Sequence, residues 1–159
     1  MATRRVVTGI EDGRSKVLSD GAAPLMEGTG FEELWIIGAD DNFGHSPIPG
    51  EGTLEGAPGS TKWRVVTIPT EEQYRQFLER LPEDQRTKDR AEGWHTTSTV
   101  DLVFVLEGEV TLNLDDDEVL LYPGNVVVQQ GTKHAWHCRG EAPVRLLALM
   151  RTFPESSAP

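Results

Sequence analysis

A chain of 159 residues with a hydrophobic fraction of 37% is the size of one domain and buries roughly two-thirds of its unfolded surface on folding. Its formal net charge of −11 repels phosphate, which argues against a general nucleic-acid or anionic-membrane binder. The single cysteine, Cys138, excludes an intrachain disulfide and a cysteine-rich structural zinc site. No apolar segment follows the basic residues of Met-Ala-Thr-Arg-Arg, and no apolar run approaches the ~20 residues that span a bilayer. The expectation is a cytoplasmic protein that binds neither nucleic acid nor membrane.

In chain order, Arg4–Thr8 and Lys16–Ser19 read as strands around a turn at Glu11-Asp12-Gly13-Arg14. Glu33–Gly38 is a further strand. Asp40–Ser60, rich in Gly, Pro and Ser, reads as an ordered surface loop or lid. Lys62–Ile68 alternates as a strand, with Trp63, Val65 and Thr67 on one face; Trp35 and Trp63 are expected in the core. Pro69-Thr70-Glu71-Glu72-Gln73 carries a capping box with Thr70 as N-cap, and Tyr74, Phe77, Leu78 and Leu81 form a helical stripe that Pro82 stops. The charged run Glu83–Gly93 reads as a connecting loop.

From Trp94 onward the pattern is nearly all strand: His95–Leu106, Glu109–Leu114, Glu118–Leu121, Asn125–Gln130, Ala135–Arg139 and Val144–Arg151, with a frayed tail from Pro154. Short strands separated by short turns predict a sandwich or barrel. Alternation puts His95, Thr97, Thr99, Asp101, Val103 and Val105 on one face of the first of these strands, and Leu102, Phe104 and Leu106 on the other. With both faces apolar toward its end, the strand is expected to be buried on both sides. A carboxylate buried at Asp101 needs a partner, a histidine or a cation. His134 follows the turn Gly131-Thr-Lys, with Trp136 and Cys138 on its face and His137 opposite. Two readings stay open on these residues: a two-histidine, one-carboxylate metal site, or a buried His–Asp hydrogen-bonded pair without metal. Cys138 reads as a small apolar filler, His45 as a surface histidine, Trp94 as packing, and Gln129 or Gln130 as a group that orients substrate or bonds backbone.

From Gly93 to about Met150 the chain resembles the conserved barrel of the cupin superfamily. Gly93, His95, Asp101 and Gly108 fall in register with the first cupin motif, and Val105-Leu-Glu-Gly-Glu-Val110 is similar to its strand–turn–strand. Gly124, Gly131 and His134 match the second motif. The sequence departs from the family where Thr97 replaces the second histidine, Asp101 the glutamate, Asn125 an aspartate and Gln129 the proline. The resemblance implies an all-β double-stranded β-helix, or jelly-roll barrel. Residues 93–151 would form its core, 1–92 would supply extra strands, a loop and one short helix packed on it, and 152–159 a flexible tail.

It further implies that His95, Asp101 and His134 serve as catalytic and metal-ligating residues, and that a divalent transition metal (Fe, Mn, Ni, Co or Zn) is the cofactor. Thr97, Thr99, Val103 and Trp136 would line the substrate pocket. The implied function is a metal-dependent enzyme of lyase, isomerase or dioxygenase type acting on a keto acid, enol or phenolic compound. A metal-free His–Asp acid/base enzyme and a non-catalytic small-molecule binder are the alternatives. The expected assembly is a homodimer.

Overall fold

The computed structural model describes residues 2–26, 29–47 and 52–154; residues 48–51 of the Gly/Pro-rich loop and the tail from 155 lie outside the described residues. Eleven antiparallel strands are described, and they form three sheets. Strands β1 (Arg4–Glu11) and β2 (Arg14–Ala22) make a separate hairpin. Its turn residues Asp12 (φ 53°) and Gly13 (φ 71°) are both left-handed, as a two-residue hairpin turn requires. Strands β3 (Leu25–Met26), β4 (Phe31–Ile37), β5 (Thr61–Ile68), β6 (Thr99–Glu107), β9 (Val126–Gln130) and β11 (Val144–Thr152) form a six-stranded sheet in the order β3-β4-β5-β11-β6-β9. Strands β7 (Val110–Asn113), β8 (Glu118–Leu121) and β10 (Ala135–Cys138) form a three-stranded sheet in the order β10-β7-β8. Between the two sheets lies a core of Val103, Val105, Val110, Leu112, Leu121, Cys138, Val144, Leu146, Ala148 and Met150. This is the jelly-roll architecture that the resemblance implied, within the sandwich or barrel that the strand pattern predicts.

The chain differs from the expected arrangement in four places. Strands β4 and β5 do not pack outside the barrel. They continue its wall, β5 pairing with β11 along its whole length. The inward face of β5 is Lys62, Arg64 and Val66 rather than the tryptophan face, so Trp63 is 43% exposed. The polar inward residues are tolerated because Arg64 is ion-paired with Glu33 of β4. Second, β6 begins at Thr99, not His95; His95 joins His134 through an isolated antiparallel bridge. Third, Glu83–Gly93 is not plain loop: it holds a 3-10 turn, Glu83–Gln85, and a short helix α2, Lys88–Ala91, capped by the Thr87 side chain. Fourth, β6 is fully buried on one face only, the other being partly covered at Leu106, which packs against the cluster that includes Leu34 and Val65. Thr99, Asp101, Val103 and Val105 point inward, whereas Leu102 and Phe104 stay exposed beside Val126 and Val128 of β9.

Helix α1 (Glu71–Arg80) begins at Thr70 with both hydrogen bonds of the predicted capping box and ends at Leu81. No helix among the described residues is long and apolar enough to cross a membrane.

Candidate functional site

The pairing register of the large sheet lays down the site. In one cross-strand row Lys62, Met150, Asp101 and Gln129 stand side by side; in the next, Arg64, Ala148 and Val103 do. Asp101, Val103 and Arg64 line a cavity of about 130 Å³ inside the barrel, together with Thr97, His134, Trp136 and, at its mouth, His95. Thr99 is not in that lining. It stands behind Thr97, to which its hydroxyl donates at 2.8 Å.

The two histidines face each other, ring centroids 4.1 Å apart, in unlike surroundings. His134 is 2% exposed and His95 is exposed. Each turns Nδ1 toward a backbone carbonyl two residues upstream: Thr132 O at 2.8 Å for His134 and Gly93 O at 3.0 Å for His95. With Nδ1–H donating there, the Nε2 lone pair of each ring is left for another partner. The Gln129 amide nitrogen lies against both ring nitrogens of His134, closest to Nδ1 and 2.9 Å from Nε2, where it donates to the lone pair. Burial, with a smaller contribution from His95, pushes the His134 pKa down to about 4, so its imidazole is neutral at physiological pH.

Burial raises the Asp101 pKa above the ordinary carboxylate value, against the opposing pull of Thr99, Arg64 and His95. The carboxyl is not fully satisfied: among the described residues Asp101 Oδ1 has no hydrogen-bond partner, and neither does Oε1 of its cross-strand neighbour Gln129. Two partnerless buried acceptors side by side are costly unless a proton or a ligand donor reaches them.

The donor set was expected to hold a metal. Among the described residues no three His, Cys, Asp or Glu side chains are grouped so as to hold an ion. The imidazoles are together and Asp101 lines the same cavity, but it is not grouped with them, and Thr97 offers only a hydroxyl where a further histidine would complete a set. The residues therefore supply a two-nitrogen pair rather than the implied three-ligand site.

Of the other residues read from sequence, Cys138 is buried in the core, its thiol donating to Ala142 O at 3.1 Å, and His45 is exposed beside Asp41. Trp94 is half-buried with Lys133 Nζ 5.0 Å from its ring centroid. Trp136 packs edge-on to His134, centroids 6.3 Å apart. Arg64 escaped the sequence reading, although the alternation that put Trp63 and Val65 on one face placed it on the other.

Residues 83–150 match the family model described as Cupin domain. The chain carries a cupin domain. A 44-residue segment is 48% identical to "Oryzines biosynthesis cluster protein J" of Aspergillus oryzae, spanning 27% of this chain and 25% of that protein. The cupin domain is also similar in structure to an RmlC-like cupin family protein with a double-stranded beta-helix fold from Methanocaldococcus jannaschii: TM-score 0.42, 15% identity, 60% of this chain and 73% of that one. Hydroxypropylphosphonic acid epoxidase from S. wedmorenis is similar with a TM-score of 0.40 and 21% identity over 56% of this chain and 42% of that one.

Proposed function

We propose that this cupin domain is a small proton-transfer enzyme, a lyase or isomerase acting on an enolisable keto acid or a phenolic compound inside the barrel. The observation that carries this reading is the pair of partnerless buried oxygens, Asp101 Oδ1 and Gln129 Oε1, beside a buried histidine on the same cavity wall. The Asp101 carboxylate takes the proton from the carbon beside the substrate carbonyl, and the electron pair of that C–H bond moves to the carbonyl oxygen as an enolate; a base shielded from water with a raised pKa is stronger than an ordinary carboxylate. His134, fixed by Thr132, accepts a hydrogen bond at Nε2 when the substrate displaces the Gln129 amide, and so orients the reacting group. His95, at the mouth with Nε2 free, passes protons between the cavity and solvent. The test is deuterium exchange from solvent into a panel of enolisable keto acids and phenolic ketones, with chelator present. Wild type accelerates exchange of at least one, and Asp101→Asn loses that acceleration by about 10²-fold or more. Exchange that survives Asp101→Asn contradicts the reading.

One observation favours a second reading. Backbone carbonyls that lock both Nδ1 atoms are the usual support of metal-ligating imidazoles, and His95 and His134 then hold a divalent transition metal through Nε2. Bound there, the ion would supply Lewis-acid or oxygen chemistry. Stoichiometric metal that is lost in a His95→Ala/His134→Ala variant marks this reading.

We also propose a homodimer. No residue of β2 is buried, and Ile10 and Val17 of the hairpin are exposed along with the Leu102, Phe104, Val126 and Val128 face. A two-stranded hairpin is marginal alone, and a second copy covers it without exposing new edges. Light scattering gives twice the monomer mass at micromolar concentration; a monomer mass refutes the dimer.

A further inference from the structure

We infer that the substrate is longer than the barrel cavity, and that its apolar body lies in a separate chamber beneath helix α1 while only its oxygenated head enters the barrel. This rests on the proton-transfer reading for the head and adds a site for the rest of the molecule.

The chamber has a volume of about 460 Å³ and lies between α1, α2 and the strands β5 and β10. That is within the usual range for small-molecule pockets, roughly 300–1,000 Å³, whereas the barrel cavity falls below it. Ile68, His95 and Trp136 line both spaces, so the two meet at the exposed histidine. A single molecule lying across these residues presents its head to His95, His134 and Asp101.

Helix α1 supplies a second, independent observation. It carries the apolar stripe Tyr74, Phe77, Leu78, yet not one of its residues is buried. An amphipathic helix ordinarily earns its place by burying that stripe against the core. Here Tyr74 and Leu78 face open space instead, across from Ile68 and Trp136. The roof is nonetheless held in place. The Tyr74 hydroxyl donates to Arg90 O at 2.5 Å, joining α1 to α2, and the Thr70 capping box fixes the start of α1. An apolar body in the chamber would give Tyr74 and Leu78 the burial the protein alone does not provide. The occupant is therefore a compound with an aromatic or branched aliphatic body and a small hydroxyl or keto head. Leu78, Tyr74, Trp136 and Ile68 set its size.

Fluorescence and calorimetric titrations with phenol and 2-naphthol separate the two claims. Phenol is a head alone; 2-naphthol adds a second ring. Wild type binds 2-naphthol about tenfold or more tighter than phenol, from the added apolar area. Leu78→Lys and Ala91→Trp, the one making the chamber polar and the other plugging it from α2, remove that gain and leave phenol affinity within about twofold. Bound 2-naphthol also slows amide hydrogen exchange across Glu71–Arg80, and phenol does not. Equal affinity for the two ligands, or a gain that survives both substitutions, overturns the chamber as the body site. Loss of phenol affinity in Asp101→Asn, with no dependence on the chamber, retains the proton-transfer reading alone. Phenol affinity unchanged in Asp101→Asn sinks that reading while the chamber result stands by itself.

Discussion

Glu33→Gln lowers the unfolding free energy by about 3–5 kcal/mol, a large part of the roughly 5–15 kcal/mol that holds a domain of this size together. Arg64 is 0% exposed and Glu33 1%. The guanidinium reaches the carboxylate twice, Nη2 to Oε1 at 2.5 Å and Nε to Oε2 at 3.3 Å. It also donates to Leu54 O at 2.8 Å and Thr53 O at 3.2 Å, tying the 52–60 segment to the barrel. Burial lowers the Arg64 pKa and the charge of Glu33 opposes that shift; removing the charge leaves a buried cation with only Asp101 to answer it. Replacing both partners, Glu33→Leu with Arg64→Met, removes the desolvation cost along with the attraction, and recovers most of the loss. Urea denaturation of the three proteins checks this. A single variant as stable as wild type refutes the role given to the pair.

Asp101→Asn has two effects of opposite sign. It removes the base, and with it the proton exchange. It also stabilises the chelator-treated protein at neutral pH. An unfolded Asp101 loses its proton in the ordinary carboxylate range, whereas burial holds the folded one protonated to higher pH. Between those two values the folded state carries the extra proton. Stability therefore falls as pH rises through that window, and the deficit persists above it. Asparagine keeps the shape without the charge, so its advantage over wild type is near zero below the carboxylate range and full at neutral pH. Denaturation curves of both proteins from acid to neutral pH read the difference directly. A wild type more stable than Asp101→Asn at neutral pH contradicts the assignment of an unpartnered carboxyl.

Strand periodicity made the barrel legible, because burial of one face writes a period of two into β6, β9 and β11, and the turns at Gly108, Gly124 and Gly131 punctuate it. The inward placement of Asp101 and His134 was legible for the same reason, Asp101 standing on a row it shares with Thr97, Thr99, Val103 and Val105. What the pattern did not carry is depth along that row. His95 and Asp101 share a parity, yet the chain leaves strand pairing between them, so one reaches solvent and the other does not. Arg64 was hidden by its own charge: an inward arginine reads as outward until Glu33, 31 residues away in sequence, supplies the partner. The chamber under α1 was illegible because the stripe of Tyr74, Phe77 and Leu78 looks the same whether it covers a core or a cavity.

Nitrogen NMR of the His95 and His134 imidazoles in chelator-treated protein, titrated with acid and then with one equivalent of zinc, distinguishes a metal-free proton-transfer site from a metal centre. In a metal-free site His134 stays neutral, with its proton on Nδ1, until about pH 4, and zinc leaves its Nε2 resonance unmoved. A His134 that titrates near the ordinary value of about 6.5, or zinc bound stoichiometrically at Nε2 of both rings, contradicts a proton-transfer site that works without a metal.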